Sequence, residues 1–237
     1  MICAYTVGDL TALMREEIIS LHSETFADSR AWICDFLTAA REERYLAYLA
    51  DGQLLGGMFL LSAALRDEKI YRGDYIFALC VRPAARGRGI ATSLLRFAKD
   101  GAKDFLLLVP ASADLIGFYT ARGFTVRLPA CTSADGRGAR ADLSACGAIE
   151  HADAYALAEI CGGLLLGAPL CAYALRERGL SLLQEKNTLF AVKDGEIFAA
   201  FGKDLLQKLH GVKEGKALAY VRGGTLPPVL CDLLFEE

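Results

Sequence analysis

The chain has 237 residues, 54% hydrophobic and 23% charged, with a formal net charge of −3. That much apolar material fills a core and excludes a disordered chain. The near-balanced charge, with no long basic run, excludes the electrostatic footprint of a nucleic-acid or anionic-membrane partner.

In chain order, Ile2–Val7 reads as a short strand, and Asp9 offers a side-chain oxygen to cap a helix. Leu10, Leu13, Met14, Ile18 and Leu21 recur at helical spacing and predict one apolar face. A second helix is predicted from Ser29 to Ala40, with Trp32, Phe36 and Tyr45 as core or as an aromatic wall. Tyr45–Ala50 and Gln53–Leu61 flank Asp51-Gly52, a strong two-residue hairpin signal. Asp74–Val81 is strand-like. Ile90–Ala102 is a helix with Leu94, Leu95, Phe97 and Ala98 facing inward. Phe105–Val109 is a buried strand, Asp114–Ala121 a helix stopped by Gly123, and Phe124–Leu128 a final strand of this half.

A loop rich in small and turn-forming residues follows up to Asp142. Its Gly136–Ala141 stretch matches a dinucleotide fingerprint only superficially, since no strand leads into it and no helix opens from it. Beyond it, His151–Leu166 and Leu170–Glu185 are helix candidates. Leu189–Val192 and Glu196–Phe201 flank a second turn pair, Asp194-Gly195, and Lys216–Val221 is a further strand. At an offset of about 143 residues the two hairpins fall opposite each other, which suggests an internal half-repeat or two unrelated hairpins.

The uncharged stretch Ile160–Leu175 is short for a membrane span and is broken by glycines and Pro169. The start of the chain lacks the basic and apolar segments of a signal peptide, so a cytoplasmic protein is expected. Eight cysteines form no C-x-x-C pair and none has a histidine at finger-like spacing, so reduced structural thiols and no metal site are expected. His22, His151 and His210 make no triad and are expected at the surface or at helix ends.

The chemistry is concentrated in Tyr75–Thr92, where a strand runs through Val81-Arg82-Pro83 into a glycine-rich turn that opens a helix. Unpaired amides at a helix N-terminus carry partial positive charge and suit a phosphate. Gly87 and Gly89 let a pyrophosphate approach the backbone, and Arg86 and Arg88 add positive charge. No G-K-[ST] ending follows, so a triphosphatase P-loop does not fit.

Here the sequence resembles the GCN5-related N-acetyltransferase (GNAT) superfamily, over about residues 1–130. Arg86, Gly89 and Ala91 match its R-x-x-G-x-A cofactor loop. Leu106–Pro110 followed by Phe118-Tyr119 and Gly123-Phe124 looks like its later strand, helix and F-Y-x-x-x-G-F ending. The resemblance implies an α/β (α+β) fold with a mixed, mostly antiparallel twisted sheet flanked by helices. It implies a GNAT domain at 1–130, a linker at 131–142, and a smaller degenerate half-domain at 143–237 without a cofactor loop. It also implies an N-acetyltransferase that uses acetyl-CoA as co-substrate, without a metal, to acetylate a primary amine of a small molecule or peptide in a ternary complex.

Two splayed strands, Asp74–Val81 and Phe105–Val109, would hold the pantetheine. Leu79, Cys80 and Val81 would supply backbone groups, and Arg86, Gly87, Arg88, Gly89, Ile90 and Ala91 would bind the pyrophosphate. Tyr119 would protonate the leaving thiolate. Asp74 is the nearest acidic candidate for proton acceptor, with Asp67 and Glu68 behind it. The second region would cover the substrate cleft or form a homodimer contact. The alternatives are a non-catalytic acyl-CoA sensor and an interaction protein with a relic site.

Overall fold

The computed structural model describes residues 1–66, 69–130, 140–149, 163–186, 188–201, 213–223 and 226. Its strands are β1 (Ile2–Thr6), β2 (Arg44–Ala50), β3 (Gln53–Arg66), β4 (Ile70–Val81), β5 (Phe105–Leu108), β6 (Val126–Ala130), β7 (Gly147–Ile149), β8 (Gly163–Leu166), β9 (Ser181–Glu185), β10 (Thr188–Lys193), β11 (Glu196–Phe201) and β12 (Lys213–Val221). Its helices are α1 (Ala12–Phe26), α2 (Arg30–Ala39), α3 (Ile90–Asp100), α4 (Asp114–Thr120) and α5 (Ala168–Arg178).

The main sheet runs β1-β2-β3-β4-β5-β12-β6, with β8 paired to the far end of β3. Among the described strands of this sheet, β4 and β5 form its one parallel pair. The expected mixed, mostly antiparallel sheet flanked by helices is therefore present. A second sheet runs β11-β10-β9-β7. The division of sheets does not follow the division of the sequence at 131–142. Strands β8 and β12 come from beyond that stretch and pair within the main sheet.

Alternation along the strands of the main sheet builds a core on each of its faces. On one face Ile18, Leu21 and Phe36 from α1 and α2 pack on Tyr45, Phe59, Tyr75 and Cys80. On the other, Ile90, Leu94 and Leu95 of α3 pack on Leu46, Met58, Leu60, Ile76, Leu106 and Leu108. Each fully buried side chain of this kind contributes about 1.5–3 kcal/mol. Phe36 and Tyr45 are sealed in the first core and Trp32 stacks on Phe36 at 5.5 Å, so these aromatics are packing residues.

Both turn pairs form as read. Asp51 and Gly52, like Asp194 and Gly195, have positive φ, the requirement of a tight hairpin turn. Several local expectations are corrected. The α1 cap is Thr11, whose hydroxyl accepts from Met14 N–H at 3.2 Å, while Asp9 lies in a preceding 3-10 turn. Leu13 and Phe97 point outward, at 75% and 43% exposure, one position off their apolar faces. Residues 151–162 of the expected His151–Leu166 helix lie outside the described residues, and Gly163–Leu166 is a strand. The expected Leu170–Glu185 helix ends at Gly179, φ 62°, and β9 follows. Residues 131–139, with most of the dinucleotide-like stretch, also lie outside the described residues.

His22 is buried, not exposed. Its ring sits between Phe26 and Phe59 at 5.5 and 5.4 Å, and neither nitrogen has a hydrogen-bond partner. His151 and His210 lie outside the described residues. Cys3, Cys34, Cys80, Cys146 and Cys171 are free thiols, whereas Cys131, Cys161 and Cys231 lie outside the described residues. No helix among the described residues is long and apolar enough to cross a membrane.

Glu43 closes a gap in the main sheet. Strand β2 leaves β3 at Leu60 and β8 joins it at Ala63, so Ser62 has no strand partner on that side. The buried Glu43 carboxylate accepts the Ser62 N–H at 2.6 Å. Burial pushes its pKa up, partly offset by that hydrogen bond. A raised carboxyl pKa means that the charge costs stability above the folded pKa and costs nothing below the unfolded one. Glu43→Gln should therefore melt at or above the wild-type temperature at pH 7, with the gap closing as pH falls. Glu43→Ala should lose about 1–3 kcal/mol by stranding the Ser62 amide. Thermal melts of both variants across pH test this, and a Gln variant as damaged as the Ala variant would refute it.

Candidate active site

Strand β4 is paired on both edges only along part of its length. Gly73, Asp74 and Tyr75 face Phe105, Leu106 and Leu107 of β5, and the pairing then stops. The seam is tight where it begins, because a Cβ on Gly73 would collide with the Phe105 carbonyl and ring. From Ile76 to Val81, β4 keeps β3 as neighbour and loses β5. The two strands thus part toward their C-terminal ends and leave a split with β4 backbone along one side.

A bulge lies on this stretch. Gly57 pairs with Cys80 and Phe59 with Phe77, so one residue of β3 faces two of β4, and Ala78 takes φ 52°. An alanine in that left-handed conformation costs about 1 kcal/mol. The extra residue reverses the alternation. Phe77 packs toward the α1 face, but Leu79 and Val81 pack toward the α3 face and Cys80 toward α1.

After Val81 the chain makes a 3-10 turn at Pro83–Ala85 and enters the loop that opens α3. Gly87 and Gly89 have φ of 77° and 75°, and a Cβ on either would meet nothing within 4 Å. Backbone conformation, not crowding, calls for glycine there. Gly89 is the N-cap and lends no side chain to the helix. The first closing bond runs from Ser93 N–H to the Gly89 carbonyl at 2.9 Å, so the amides of Ile90, Ala91 and Thr92 have no intrahelical acceptor. Arg86 and Arg88 are exposed, and Arg86 Nε donates to the Val81 carbonyl at 3.2 Å. Leu79, Cys80, Val81 and the loop Arg86–Ala91 are therefore brought together along one continuous path.

Tyr119 lies on α4 over the α3-side core, against Phe118 and Phe124 at 5.2 and 6.1 Å. Burial raises its pKa, so at neutral pH it is a phenol with a proton to give. Asp74 sits at the start of the split, on the same face as Ile76, with its carboxylate 2.7 Å from Arg44. Asp67 and Glu68 lie outside the described residues. Cys80 is buried and its thiol is pushed up to about 12 by burial, with the Gly57 carbonyl 3.8 Å away.

Three arginines that were not among the candidate residues of the sequence lie around this path. Arg82 reaches from the end of β4 to α1, contacting Glu17 at 3.0 Å and also Glu24. Arg122 donates to Thr92 in the first turn of α3 at 2.9 Å and to the Phe118 carbonyl at 2.7 Å, with its guanidinium 3.6 Å above the Phe118 ring. It thereby fastens the helix of Tyr119 to the mouth of α3. Arg44 holds Asp74. Arginine next to a family-like motif was the available signal for Arg82 and Arg122; nothing local marked Arg44. A surface depression of about 590 Å³, lined by Thr6, Asp9, Arg15, Arg41 and Glu42 among others, lies at the Thr6–Arg44 end of the sheet, away from the split.

Residues 10–124 match the model of the acetyltransferase (GNAT) family. A search of curated proteins finds no match. The fold is similar to that of a GCN5-related N-acetyltransferase from Kribbella flavida, at 11% identity over 93% of this chain and 72% of that one, TM-score 0.59. It is also similar to that of Eis1 from Mycobacterium abscessus, at 11% identity over 93% and 73%, TM-score 0.65.

The burial of Cys80 has a chemical consequence. A thiol titrating near 12 is a thiolate in only about one part in ten thousand or less at pH 7.5. Iodoacetamide should therefore leave Cys80 unmodified in the native protein while the half-buried Cys3 and Cys34 react. Peptide mapping by mass spectrometry reads this, and Cys80 labelling as fast as Cys34 would show that its thiol is activated.

Proposed function

Residues 10–124 form a domain of the acetyltransferase (GNAT) family, whose members transfer acyl groups, and from that premise we propose that this chain is an acetyl-CoA-dependent N-acetyltransferase. The observation that carries the reading is the split between β4 and β5, which leads directly to the uncapped N-terminus of α3. Its residues fit the co-substrate. The open β4 edge at Leu79 and Val81 offers backbone partners to an amide-bearing arm, and the α3 amides with Arg86 and Arg88 suit a pyrophosphate. No metal enters this chemistry.

In the proposed reaction a primary amine of a small molecule or peptide attacks the thioester carbonyl directly. The amine lone pair forms the new C–N bond, and the amine proton passes to Asp74, which Arg44 holds in place. The backbone N–H near Cys80 or Val81 steadies the developing oxyanion, a contribution that grows only as charge develops. The C–S bond then breaks and Tyr119 gives its proton to the departing thiolate. Cys80 takes no covalent part, because its buried thiol stays protonated. The region 143–237 has no counterpart of the Arg86–Ala91 loop in its sequence and serves the acceptor side or a homodimer contact. The intact loop and Tyr119 favour the enzyme over the sensor, and the proposed setting is cytoplasmic.

Calorimetry with acetyl-CoA tests the site. The wild type should bind, and Gly89→Glu, which puts a carboxylate and a strained φ at the phosphate position, should not. Absence of wild-type binding would exclude enzyme and sensor alike. The role of Tyr119 is tested by Tyr119→Phe in an amine-acceptor screen: turnover should fall about a hundredfold while binding survives. Because burial raises the Tyr119 pKa, the acid stays protonated past neutral pH, and its loss of the proton should appear as an alkaline fall in wild-type turnover. That alkaline limb should be missing in the phenylalanine variant. Unchanged turnover would remove Tyr119 from the mechanism.

A further inference from the structure

Arg82 occupies an unusual position between the two faces of the sheet. It follows the last residue of β4 and precedes the turn into the α3 loop. Its own N–H donates to the Leu55 carbonyl and its Nε to the Leu54 carbonyl, both at 2.8 Å, which fixes it to the start of β3. The rest of the guanidinium leaves the sheet on the side opposite α3. It donates to Glu17 at 3.0 Å, to Glu24, and to Ser20 at 3.4 Å, a row along α1 in which Glu17 is half-buried and Ser20 and Glu24 are exposed. The Arg82 side chain is 22% exposed, whereas Glu17 and Glu24 are 38% and 43% exposed, so the value of these contacts lies in the geometry they fix.

An arginine suits this role because its planar fork addresses several acceptors at once, which an ammonium cannot do in fixed geometry. One of its partners responds in kind, since the Glu24 carboxyl is held below the usual range chiefly by the hydrogen bond from Arg82. Helix α1 also meets β4 through apolar packing at Ile18 and Leu21 and through Thr25 beside Cys80. The Arg82 tie lies where α1 meets the end of β4 that leads into the loop.

We propose that Arg82 is a positioning residue that transmits seating of acyl-CoA in the β4–α3 loop to helix α1, so that the helix on the opposite face of the sheet becomes ordered when the loop is filled. This rests on the reading of that loop as the acyl-CoA site. Any displacement of the Val81–Arg86 backbone moves the Arg82 anchor, and the fork carries that displacement to Glu17 and Glu24. Cofactor seating and the shape of the α1 face are then one event, and an acceptor that meets α1 meets a surface set by the cofactor.

Hydrogen exchange read by mass spectrometry, with and without acetyl-CoA, tests this on the full chain. In the wild type, acetyl-CoA should slow amide exchange across Glu17–Glu24 by about tenfold or more, as well as across the loop. In Arg82→Met the loop should still be protected while the α1 protection is lost, and Arg82→Lys should restore it only in part. The pair Glu17→Gln with Glu24→Gln should reproduce the loss from the other end, which keeps the test available if Arg82→Met does not fold. Undiminished α1 protection in these variants would overturn the coupling. So would wild-type binding that protects the loop and leaves α1 unchanged. A wild type that binds no acetyl-CoA would instead sink the cofactor reading, and this inference with it.

Discussion

The bulge at Ala78 is the constraint around which the site is organised. A regular β4 would carry Leu79 and Val81 to the same face as Phe77. The added residue sends them to the α3 face and turns Cys80 inward toward α1. It also falls where β4 has already parted from β5, so its unpaired backbone faces the split. A strand strongly held on both sides would resist such an insertion. Here only β3 has to accommodate it, and Gly56 and Gly57 allow that strand close: a Cβ on Gly56 would stand 2.8 Å from the Cys80 carbonyl. Strain of about 1 kcal/mol at one alanine is small against the burial of the surrounding core.

Charge is arranged with similar economy. The mouth of α3 carries exposed arginines at 86 and 88, the first donating to the nearby Val81 carbonyl, while Arg82, Arg122 and Arg44 are held by acceptors on other elements. The second group fixes the frame: Arg122 sets α4 against α3, Arg44 holds Asp74, and Arg82 joins the loop to α1.

Much of this was legible in the residues because it is local. The two Asp-Gly turns demand positive φ at adjacent positions, and few other dipeptides supply it. The α3 loop announces itself by two glycines between arginines at a strand-to-helix junction. The bulge was invisible, since alanine gives no sign of a left-handed φ. Gly163–Leu166 could not be told from helix by its apolar run alone, and Leu180-Ser181-Leu182-Leu183 carried the helical reading past Gly179. The burial of His22 depends on Phe59, a strand away, and the Arg44–Asp74 pair on residues 30 positions apart. Such pairings are set by the sheet and not by their neighbours in sequence.

Strand β12 carries a consequence for how the chain reaches this fold. It lies between β5 and β6, bonding Leu218 to Leu108 on one side and to Arg127 on the other. During synthesis β5 and β6 emerge long before their common partner. Until residues 213–221 arrive, both strands expose edges with unsatisfied amides, and the second sheet has time to form between them. Such late closure raises contact order and slows folding, and it leaves an interval in which an open edge can pair with another chain. The nascent protein is thus most open to misassembly beside β5, one of the two strands that frame the split.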